Sequence, residues 1–165
     1  MISIDNLNFK YKDKTIFENF NLKLEENKII ALMGPNGSGK TTLIKILLGL
    51  LPYDGTIKFD DKILNKNDIR KMVGVVFSNP NNQIINDTVY DEIAFTLENM
   101  KYKGIKVKVI EISKYLGIEN ILEKNPNELN INQKQLVNLA CSLVHNPKIL
   151  ILDEALNFDP FQKEK

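Results

Sequence analysis

Eight consecutive residues near the N-terminus have the types and spacing of a phosphate-binding loop. They match the pattern G-x-x-x-x-G-K-[ST] and are followed by Thr42; in order they are Gly34, Pro35, Asn36, Gly37, Ser38, Gly39, Lys40 and Thr41. Glycines let backbone amides approach phosphate oxygens, and the positive end of a following helix adds to the attraction. Lys40 would place its charge between the β- and γ-phosphates of a nucleotide, and the Thr41 hydroxyl would bind Mg²⁺. The alternative, a chance glycine turn, is disfavoured by the flanking elements.

A second pair of chemically useful residues, Asp153 and Glu154, follows the apolar run Ile149–Leu152. A carboxylate at the carboxyl end of a buried parallel strand lies on the ligand side of the sheet. We expect Asp153 to hold Mg²⁺ through water, and Glu154 to polarise the attacking water as general base. The alternative is an acidic helix cap after a strand.

These residues require strands and helices in alternation. The apolar runs at Ile29–Met33, Val73–Phe77 and Ile149–Leu152 predict buried strands, and the first leads through the glycine-rich loop into a helix over Thr41–Leu51 that Pro52 ends. Such alternation predicts an α/β fold with a largely parallel sheet.

Other segments predict the remaining elements. Alternation within residues 2–9 predicts an edge-type strand, and Gly55–Phe59 a short strand. Helical spacing from Val89 to Met100, with Thr88 and Asp91 as a capping box, predicts one helix, and Ile105–Leu116 a second. A third is predicted to present one apolar face, formed by Leu136, Leu139, Ala140, Leu143 and Val144.

Composition limits the classes of function. The net charge is +1 and Arg70 is the only arginine, so there is no electrostatic argument for nucleic acid or an anionic membrane as partner. The chain has one cysteine, Cys141, which excludes a disulfide framework and suits a reducing cytosol. We expect Cys141 to be a small core residue. We expect no signal peptide, and no apolar run is long enough to span a bilayer. Any membrane role must come through a partner.

The residues between the two motifs resemble one protein family. The segment VGVVFSNPNNQIINDTVYDEIAFTLENM, Val73–Met100, resembles the Q-loop region of energy-coupling-factor ATPases, which are ATP-binding-cassette (ABC) proteins. PNELNINQKQLVNLACSLVHNPKILILDEA resembles their stretch from the signature to Walker B. The resemblance covers Tyr11 to Pro160, and Ala155, where most ABC proteins have proline, also occurs in this subfamily.

The resemblance implies a fold and further site residues. The fold is that of a P-loop NTPase of ABC type, with a RecA-like core, a small antiparallel β subdomain and a helical subdomain, in one domain over residues 1–165. Tyr11 would be the aromatic that stacks on adenine, or else an ordinary edge-strand tyrosine. Ser78–Asn86 would contact a membrane partner. Gln83 matches a glutamine of the subfamily pattern, and the sequence does not indicate its role. Asp159 would be the D-loop aspartate that reaches across a dimer, although Asp159-Pro160 is also an ordinary turn pair.

Four departures from the family pattern bear on activity. Ser78 replaces the Q-loop glutamine and is too short to take its place. The D-loop stretch DEALNFDP is one residue shorter than usual, and the chain stops before the family's switch histidine. His145 is not that histidine; we expect a surface capping residue at a helix C-terminus. The fourth departure is a degenerate signature in which Ile131 brings a β-branched side chain where a glycine is usual; the segment reads Leu129, Asn130, Ile131, Asn132, Gln133.

The resemblance implies an ATPase subunit, with ATP and Mg²⁺ as cofactors, that energises an uptake transporter from the cytoplasmic face of the membrane as a peripheral protein. Its partners would be transmembrane subunits and a second ABC ATPase, in a homodimer or, as the poor signature favours, a heterodimer. One alternative is a degenerate or truncated module that binds ATP without turnover. Another is a soluble ABC ATPase of translation or DNA maintenance, disfavoured by the single cassette and the lack of a basic patch.

Overall fold

The computed structural model describes residues 1–63 and 65–155. The chain divides into two compact units, residues 1–70 and residues 71–165. The first contains the strands β1 (Ile2–Tyr11), β2 (Lys14–Leu24) and β3 (Asp54–Phe59) and the helix α1 (Lys40–Leu47). The helix α2 (Lys66–Met72) crosses the boundary between the units.

The first unit is built on an antiparallel sheet with strand order β2-β1-β3. The strand predicted over residues 2–9 is therefore confirmed, but its edge position is wrong, because β2 and β3 cover both of its sides. The short strand predicted at Gly55–Phe59 is β3. This sheet agrees with the small antiparallel β subdomain that the family resemblance implies.

Two asparagine pairs hold β1 and β2 together where their register shifts. The Asn6 and Asn19 backbones are left-handed, with φ of 51° and 47°. The Asn6 N–H donates to Asn21 Oδ1 and the Asn19 N–H to Asn8 Oδ1, both at 2.9 Å. In return, the Asn8 and Asn21 amides each donate to the carbonyl two residues earlier on their own strand, at 2.8 Å. The bulged backbone groups are thereby paired across the hairpin.

The segment Ile29–Met33, predicted as a buried strand, forms no strand in the structure. Its apolar side chains are exposed: Ile29, Ile30, Leu32 and Met33. An apolar run becomes a central strand only where neighbouring strands take up its backbone hydrogen bonds, and the described sheets do not include this segment. The prediction of a buried strand here is wrong.

The helix α1 is shorter than the Thr41–Leu51 segment predicted. Gly49 has a φ of 67°, and the Leu50 N–H bonds to the Lys45 carbonyl at 2.8 Å while the Gly49 N–H bonds to the Ile46 carbonyl at 2.9 Å. This is a Schellman motif, in which a left-handed glycine closes the last turn. The glycine, rather than Pro52, therefore ends the helix.

The second unit contains β4 (Val73–Phe77), β5 (Ile149–Asp153) and the helices α3 (Val89–Asn99), α4 (Ile105–Leu116) and α5 (Ile131–Leu143). The strands pair in parallel, from Val73 opposite Ile149 to Phe77 opposite Asp153. All three predicted helices are confirmed. The prediction of a largely parallel sheet is too broad, because among the described strands only β4 and β5 are parallel.

The helices of the second unit share a core. It consists of buried apolar side chains from α3, α4, α5 and the turns between them: Val89, Ile93, Ala94, Leu97, Val109, Ile118, Ile121, Leu129, Val137, Ala140 and Val144. The face predicted for α5 is only partly correct, because Leu136, Leu139 and Leu143 are half-buried while Asn138 and Ser142 are buried. These two polar side chains donate hydrogen bonds to backbone carbonyls, which compensate for the loss of water around them.

The helix α5 packs closely against β4 at Gly74. A Cβ on Gly74 would lie 2.4 Å from the Ser142 carbonyl oxygen, so only glycine fits. The Ser142 hydroxyl donates to the Val75 carbonyl at 2.6 Å. Across the sheet, β5 is less buried than its apolar run predicts, since Leu150 and Leu152 are exposed.

Candidate nucleotide-binding site

The phosphate loop leads directly into α1 in the first unit. Residues 34–38 are exposed, and Gly39 is the N-cap of α1 with a φ of 97°. A Cβ on Gly39 would also lie 2.8 Å from Ile16 Cγ2 on β2, so this position needs glycine for its dihedrals and for its packing. The first turn of α1 contains no acidic residue to oppose an anion. The loop therefore has the open backbone and helix N-terminus that a phosphate group requires.

The side chain of Lys40 folds over this loop. Its Nζ donates to the Gly34 carbonyl at 2.8 Å and to the Pro35 carbonyl at 3.1 Å. An ammonium group has three donors, so one remains for an incoming oxygen. Thr41 lies exposed in the first turn of α1, and Thr42 follows it half-buried. The loop predictions agree with this local geometry, and the individual contacts to phosphate stay predictions.

Tyr11 lies at the end of β1 and is 44% exposed. Its ring meets Phe9 edge to face, with centroids 4.8 Å apart. This packing holds the ring while leaving part of its surface open. Its predicted stacking on adenine stays a prediction, and so does the edge-strand alternative, because β3 pairs with β1 only as far as Asn8 while Tyr11 pairs with Lys14 of β2.

In the second unit, Asp153 and Glu154 lie at the carboxyl end of β5. Because Asp153 is opposite Phe77 in the parallel pair, Ser78 follows β4 at the same edge of the sheet. Asp153 is buried and Glu154 is exposed. The Glu154 backbone is left-handed, with a φ of 53°, a strained conformation for a residue with a side chain.

The degenerate signature forms the N-terminus of α5. The Asn130 side chain accepts a bond from the Gln133 N–H at 2.9 Å, and the Gln133 side chain accepts one from the Asn130 N–H at 3.1 Å. This is a complete capping box, so two backbone donors at the helix start are already paired within the chain. Leu129 is buried, Ile131 is 56% exposed as the first helical residue, and Asn132 follows it half-buried.

The loop after β4 is held from several directions. Gln83 takes the place of a neighbouring strand: its Oε1 accepts the Phe77 N–H at 2.9 Å and its Nε2 donates to the Val75 carbonyl at 3.2 Å. The side chain thus pairs two backbone groups of β4, a role that the sequence alone did not reveal. Gln135 of α5 donates to the Ser78 carbonyl at 3.3 Å.

Sequence reasoning missed two further residues that fix this loop. Asn138 is buried in α5 and donates to the Pro80 carbonyl at 3.1 Å. Glu92, in the first turn of α3, is 6% exposed, and its carboxylate accepts bonds from residues 85 and 86. A polar residue within the apolar stripe of a predicted helix is the signal for Asn138, and an acid in the first turn after an asparagine-rich loop is the signal for Glu92.

Two other predicted residues have defined surroundings. His145 is 6% exposed, so its prediction as a surface capping residue is wrong. Neither ring nitrogen has a hydrogen-bond partner among the described residues, and burial lowers the pKa of the imidazole. Cys141 packs against the core as predicted, and its Sγ donates to the Glu92 carbonyl at 3.5 Å. Burial and the nearby Glu92 charge raise the pKa of this thiol, which makes it a poor nucleophile.

The N-cap of α3 is also partly as predicted. The Thr88 hydroxyl accepts from the Asp91 N–H at 3.0 Å, but it donates to the Asp91 carboxylate at 2.7 Å. The cap is therefore present without the reciprocal backbone bond of a capping box. Asp159 lies outside the described residues, so its predicted D-loop role stays a prediction.

The oxygen groups predicted to hold Mg²⁺ fit that ion by type. Thr41 in the first unit carries a hydroxyl and Asp153 in the second a carboxylate, both of the hard oxygen kind. Among residues 1–63 and 65–155 no three His, Cys, Asp or Glu side chains cluster as a metal cage. Mg²⁺ usually binds through one or two carboxylates together with substrate phosphates, so such a cage is not required.

Comparison with known proteins agrees with the motifs. Residues 17–157 match the family model described as ABC transporter. The energy-coupling factor transporter ATP-binding protein EcfA of Aster yellows witches'-broom phytoplasma is 43% identical over 167 residues, 97% of this chain and 62% of the relative. EcfA1 of Leuconostoc mesenteroides is 40% identical over 160 residues, 93% of this chain and 59% of the relative. The chain thus spans about three fifths of the length of these curated relatives.

A solved structure is similar as well. It is described as cbiO1 from Clostridium perfringens, part of the ABC transporter complex cbiONQ. The TM-score is 0.80 and the sequence identity 32%, covering 92% of this chain and 64% of that one. Within residues 1–63 and 65–155, no helix is both long and apolar enough to cross a membrane.

Proposed function

Because the chain belongs to the ABC transporter family, we propose that it is an ATP-binding and ATP-hydrolysing subunit of an energy-coupling-factor type uptake transporter. Two relatives that are 43% and 40% identical to this chain are named as energy-coupling factor transporter ATP-binding proteins. The fold of the described residues is that of ABC ATPases, as the likeness to cbiO1 shows.

The observation that carries the proposal is the phosphate loop at the start of α1. Gly39 gives the loop its left-handed turn and Lys40 lies across the loop carbonyls. A nucleoside triphosphate offers anionic oxygens, which bind the Lys40 ammonium better than two neutral carbonyls do because the opposite charges attract each other. On nucleotide binding, Lys40 would exchange its carbonyl partners for phosphate.

The second half of the chemistry is assigned to the carboxyl end of β5. Asp153 would bind Mg²⁺ and Glu154 would accept a proton from the attacking water. Mg²⁺, when bound with ATP, neutralises charge on the phosphates. Tyr11 would stack on the adenine ring, and Asp159 would reach across a dimer of cassettes.

The partners we propose are a second ABC ATPase and transmembrane transporter subunits. The transmembrane subunits would bind through Ser78–Asn86, and this contact would hold the protein at the cytoplasmic face of the membrane. The rigid attachment of this loop to β4 and α5 supports such a contact, because a preorganised surface loses little entropy on binding.

The test is ATP hydrolysis by the chain alone and with a second cassette subunit. We expect slow turnover alone, since an ABC site needs the signature of a partner, and faster turnover in the pair. Glu154→Gln should abolish the activity of this chain's site while Mg-ATP still binds. Absence of Mg-ATP binding by the wild-type chain would overturn the proposal.

Ser78 at this chain's own site, and the signature wherever two copies of this chain pair, favour one alternative, a module that binds ATP without turnover. The Asn130–Gln133 capping box and the exposed Ile131 leave little room for a close approach of phosphate to this helix start. Ser78 also lacks the reach of the glutamine it replaces. Tight Mg-ATP binding with no turnover in any pairing would establish this alternative.

A further inference from the structure

One face of the helix α5 carries three polar side chains spaced three or four residues apart, which places them on the same side of the helix. They are Gln135, Asn138 and Ser142. Each donates a hydrogen bond to a backbone carbonyl of β4 or of the loop after it: Gln135 to Ser78 at 3.3 Å, Asn138 to Pro80 at 3.1 Å and Ser142 to Val75 at 2.6 Å. The helix that begins at the signature is therefore bonded to residues 75–80 at three points.

Two of these donors are buried. Asn138 is 1% exposed and Ser142 is 7% exposed. A buried amide or hydroxyl destabilises the fold unless it is hydrogen-bonded, so moving the loop away from α5 would leave these groups unpaired. Their neighbours on the helix, Val137 and Ala140, are buried and apolar. The Asn138 amide therefore does what an apolar side chain at that position could not do, because it holds the Pro80 carbonyl.

Gln135 differs from the other two because its amide is only half paired. Its Nε2 donates to the Ser78 carbonyl, whereas its Oε1 is buried and has no hydrogen-bond partner within residues 1–63 and 65–155. A buried acceptor without a partner is unfavourable, so stability alone does not account for a glutamine at this position. What the side chain supplies is a donor to the backbone of residue 78.

Residue 78 lies at the edge of the sheet to which we assign the hydrolysis of ATP. It directly follows Phe77, which pairs with Asp153 of β5, and the Ser78 side chain is exposed. A side chain can act at a site only from the place where its backbone is held, and reacting groups must be held to within about 0.5 Å. Gln135 and Asn138 fix the backbone on this scale, because they bind the carbonyls of residue 78 and of Pro80.

We propose that Gln135 and Asn138 are positioning residues for ATP hydrolysis at this chain's own site, where they hold the backbone of residue 78 beside the carboxyl end of β5. The inference rests on the proposed function. It adds that the support of position 78 is intact although the residue there is a serine. The defect at this position is then confined to one side chain, and a single substitution repairs it.

The first experiment measures turnover in a pair with a second ABC ATPase subunit. That subunit has an intact signature and glutamine in place of its Walker B glutamate, so only the site of this chain turns over. Ser78→Gln should raise kcat. Adding Gln135→Met should lower the raised kcat about tenfold, within the roughly hundredfold loss that a misplacement of 1 Å can cause. The KM for Mg-ATP should not change, because the phosphate loop is untouched.

The choice of methionine separates positioning from stability. Methionine is about as long as glutamine but has no donor for the Ser78 carbonyl. It removes one hydrogen bond and one unpaired buried oxygen together, so the Tm should stay within about 3 °C of the wild type. The matched control is Lys106→Met, at an exposed position on α4, which should leave kcat and KM unchanged. A loss of kcat in the control equal to that in Gln135→Met would overturn the positioning role.

The second experiment follows the loop itself by hydrogen exchange. The N–H groups of residues 81–83 are bonded within the loop and should exchange faster in Gln135→Met and in Asn138→Ala, whereas those of α4 should not. With both changes in the Ser78→Gln chain, kcat should fall by less than the product of the two single losses, because both residues hold one loop. Independent losses would contradict a shared role. Gln135→Met carries the test alone if Asn138→Ala does not fold.

The outcomes separate this inference from the proposed function. If the chain binds Mg-ATP but no pairing gives turnover, the proposed hydrolysis is wrong, and the positioning role with it. If the wild-type pair hydrolyses ATP and Ser78→Gln does not raise kcat, the backbone does not present residue 78 to the site and only the inference is wrong. The inference is also wrong if Ser78→Gln raises kcat and Gln135→Met changes neither that kcat nor the exchange of residues 81–83.

Discussion

Lys40 bonds within the phosphate loop that it is predicted to serve. Its ammonium donates to the Gly34 and Pro35 carbonyls, which keeps those groups paired. Both carbonyls belong to exposed residues, so water can replace the lysine at little cost. The lysine therefore contributes far more to anion binding than to folding.

From this we expect Lys40→Ala to weaken Mg-ATP binding about tenfold or more, since a hydrogen bond to a charged group contributes about 1.5–3 kcal/mol. Lys45→Ala, a change of an exposed lysine in the last turn of the same helix, is the matched control and should leave the affinity unchanged. Titration calorimetry measures both. Equal affinities for Lys40→Ala and the wild type would remove the phosphate loop from the site.

His145 leads to a prediction about pH. It is the only histidine in the chain, it is buried, and burial lowers its pKa below the ordinary value of 6.5. The unfolded chain therefore binds this proton more readily than the folded one. The stability that neutral, buried His145 contributes is fully present above the pKa that this residue has in the unfolded chain. It is lost as the pH falls from about 6.5 through the lower pKa that His145 has in the folded chain.

His145→Met should remove this loss, because methionine fills a buried position without titrating. Thermal unfolding at pH 7.5 and 5.5 should show a smaller drop in Tm for the variant than for the wild type. Carboxylates titrate mainly below this range and affect both proteins alike. An equal drop in both proteins would mean that the folded chain protonates His145 as readily as the unfolded chain does, so that burial does not lower the pKa of this imidazole.

Among the elements, the hairpin of β1 and β2 depends on contacts that hydrophobic alternation does not express. The pattern Asn-x-Asn occurs once on each strand, at Asn6-Leu7-Asn8 and Asn19-Phe20-Asn21. Its meaning depends on the register, because each second asparagine bonds to the backbone of the first asparagine on the other strand. The register is known only once the strands are paired.

We expect Asn8→Ala and Asn21→Ala each to lower the free energy of unfolding by about 1 kcal/mol, the usual net contribution of one intramolecular hydrogen bond. Each change leaves the left-handed backbone of the opposite strand without its acceptor. Lys23→Ala, an exposed position on β2, should have a smaller effect. Urea denaturation of the three variants tests this, and equal effects at all three positions would contradict the role of the asparagines.

The same reasoning explains which elements the sequence predicts correctly. The helices α3, α4 and α5 have long periodic patterns with local stop signals, and β4 and β5 are short apolar runs that pair with each other. The Ile29–Met33 run is equally apolar, but burial depends on neighbours that the run itself does not specify. Glu92 and the role of Gln83 were not predicted for a related reason. Glu92 bonds to backbone groups of the loop after β4, and Gln83 lies in that loop and bonds back to β4, and no periodicity predicts the path of a loop.

For the whole molecule, the phosphate loop and the carboxylates after β5 (the Walker A and Walker B motifs) are intact, whereas the signature is degenerate. This contrast predicts that the two nucleotide sites of a dimer differ. In a pair of ABC ATPases, each site combines the Walker motifs of one chain with the signature of the other. The site that uses Lys40, Thr41, Asp153 and Glu154 would lack chiefly the function of the glutamine replaced by Ser78. The opposite site would meet the start of α5, where the Asn130 and Gln133 side chains already pair two backbone donors and Ile131 projects into solvent. We therefore propose an asymmetric heterodimer rather than a homodimer.

The last prediction concerns repair of that signature. Changing Asn130 to Ser and both Ile131 and Asn132 to Gly should raise turnover at the partner's site, whereas Ser78→Gln should raise it at this chain's own site. The two glycines weaken the start of α5, at about 1 kcal/mol each, so circular dichroism must first show that the helix persists. Inactivating one Walker B glutamate at a time then assigns the turnover: with Glu154→Gln in this chain, any remaining activity belongs to the partner's site. If the repaired signature leaves that activity unchanged, contacts of Asn130, Ile131 and Asn132 do not limit hydrolysis. The two sites would then differ for another reason, and the argument for a heterodimer would lose its structural basis.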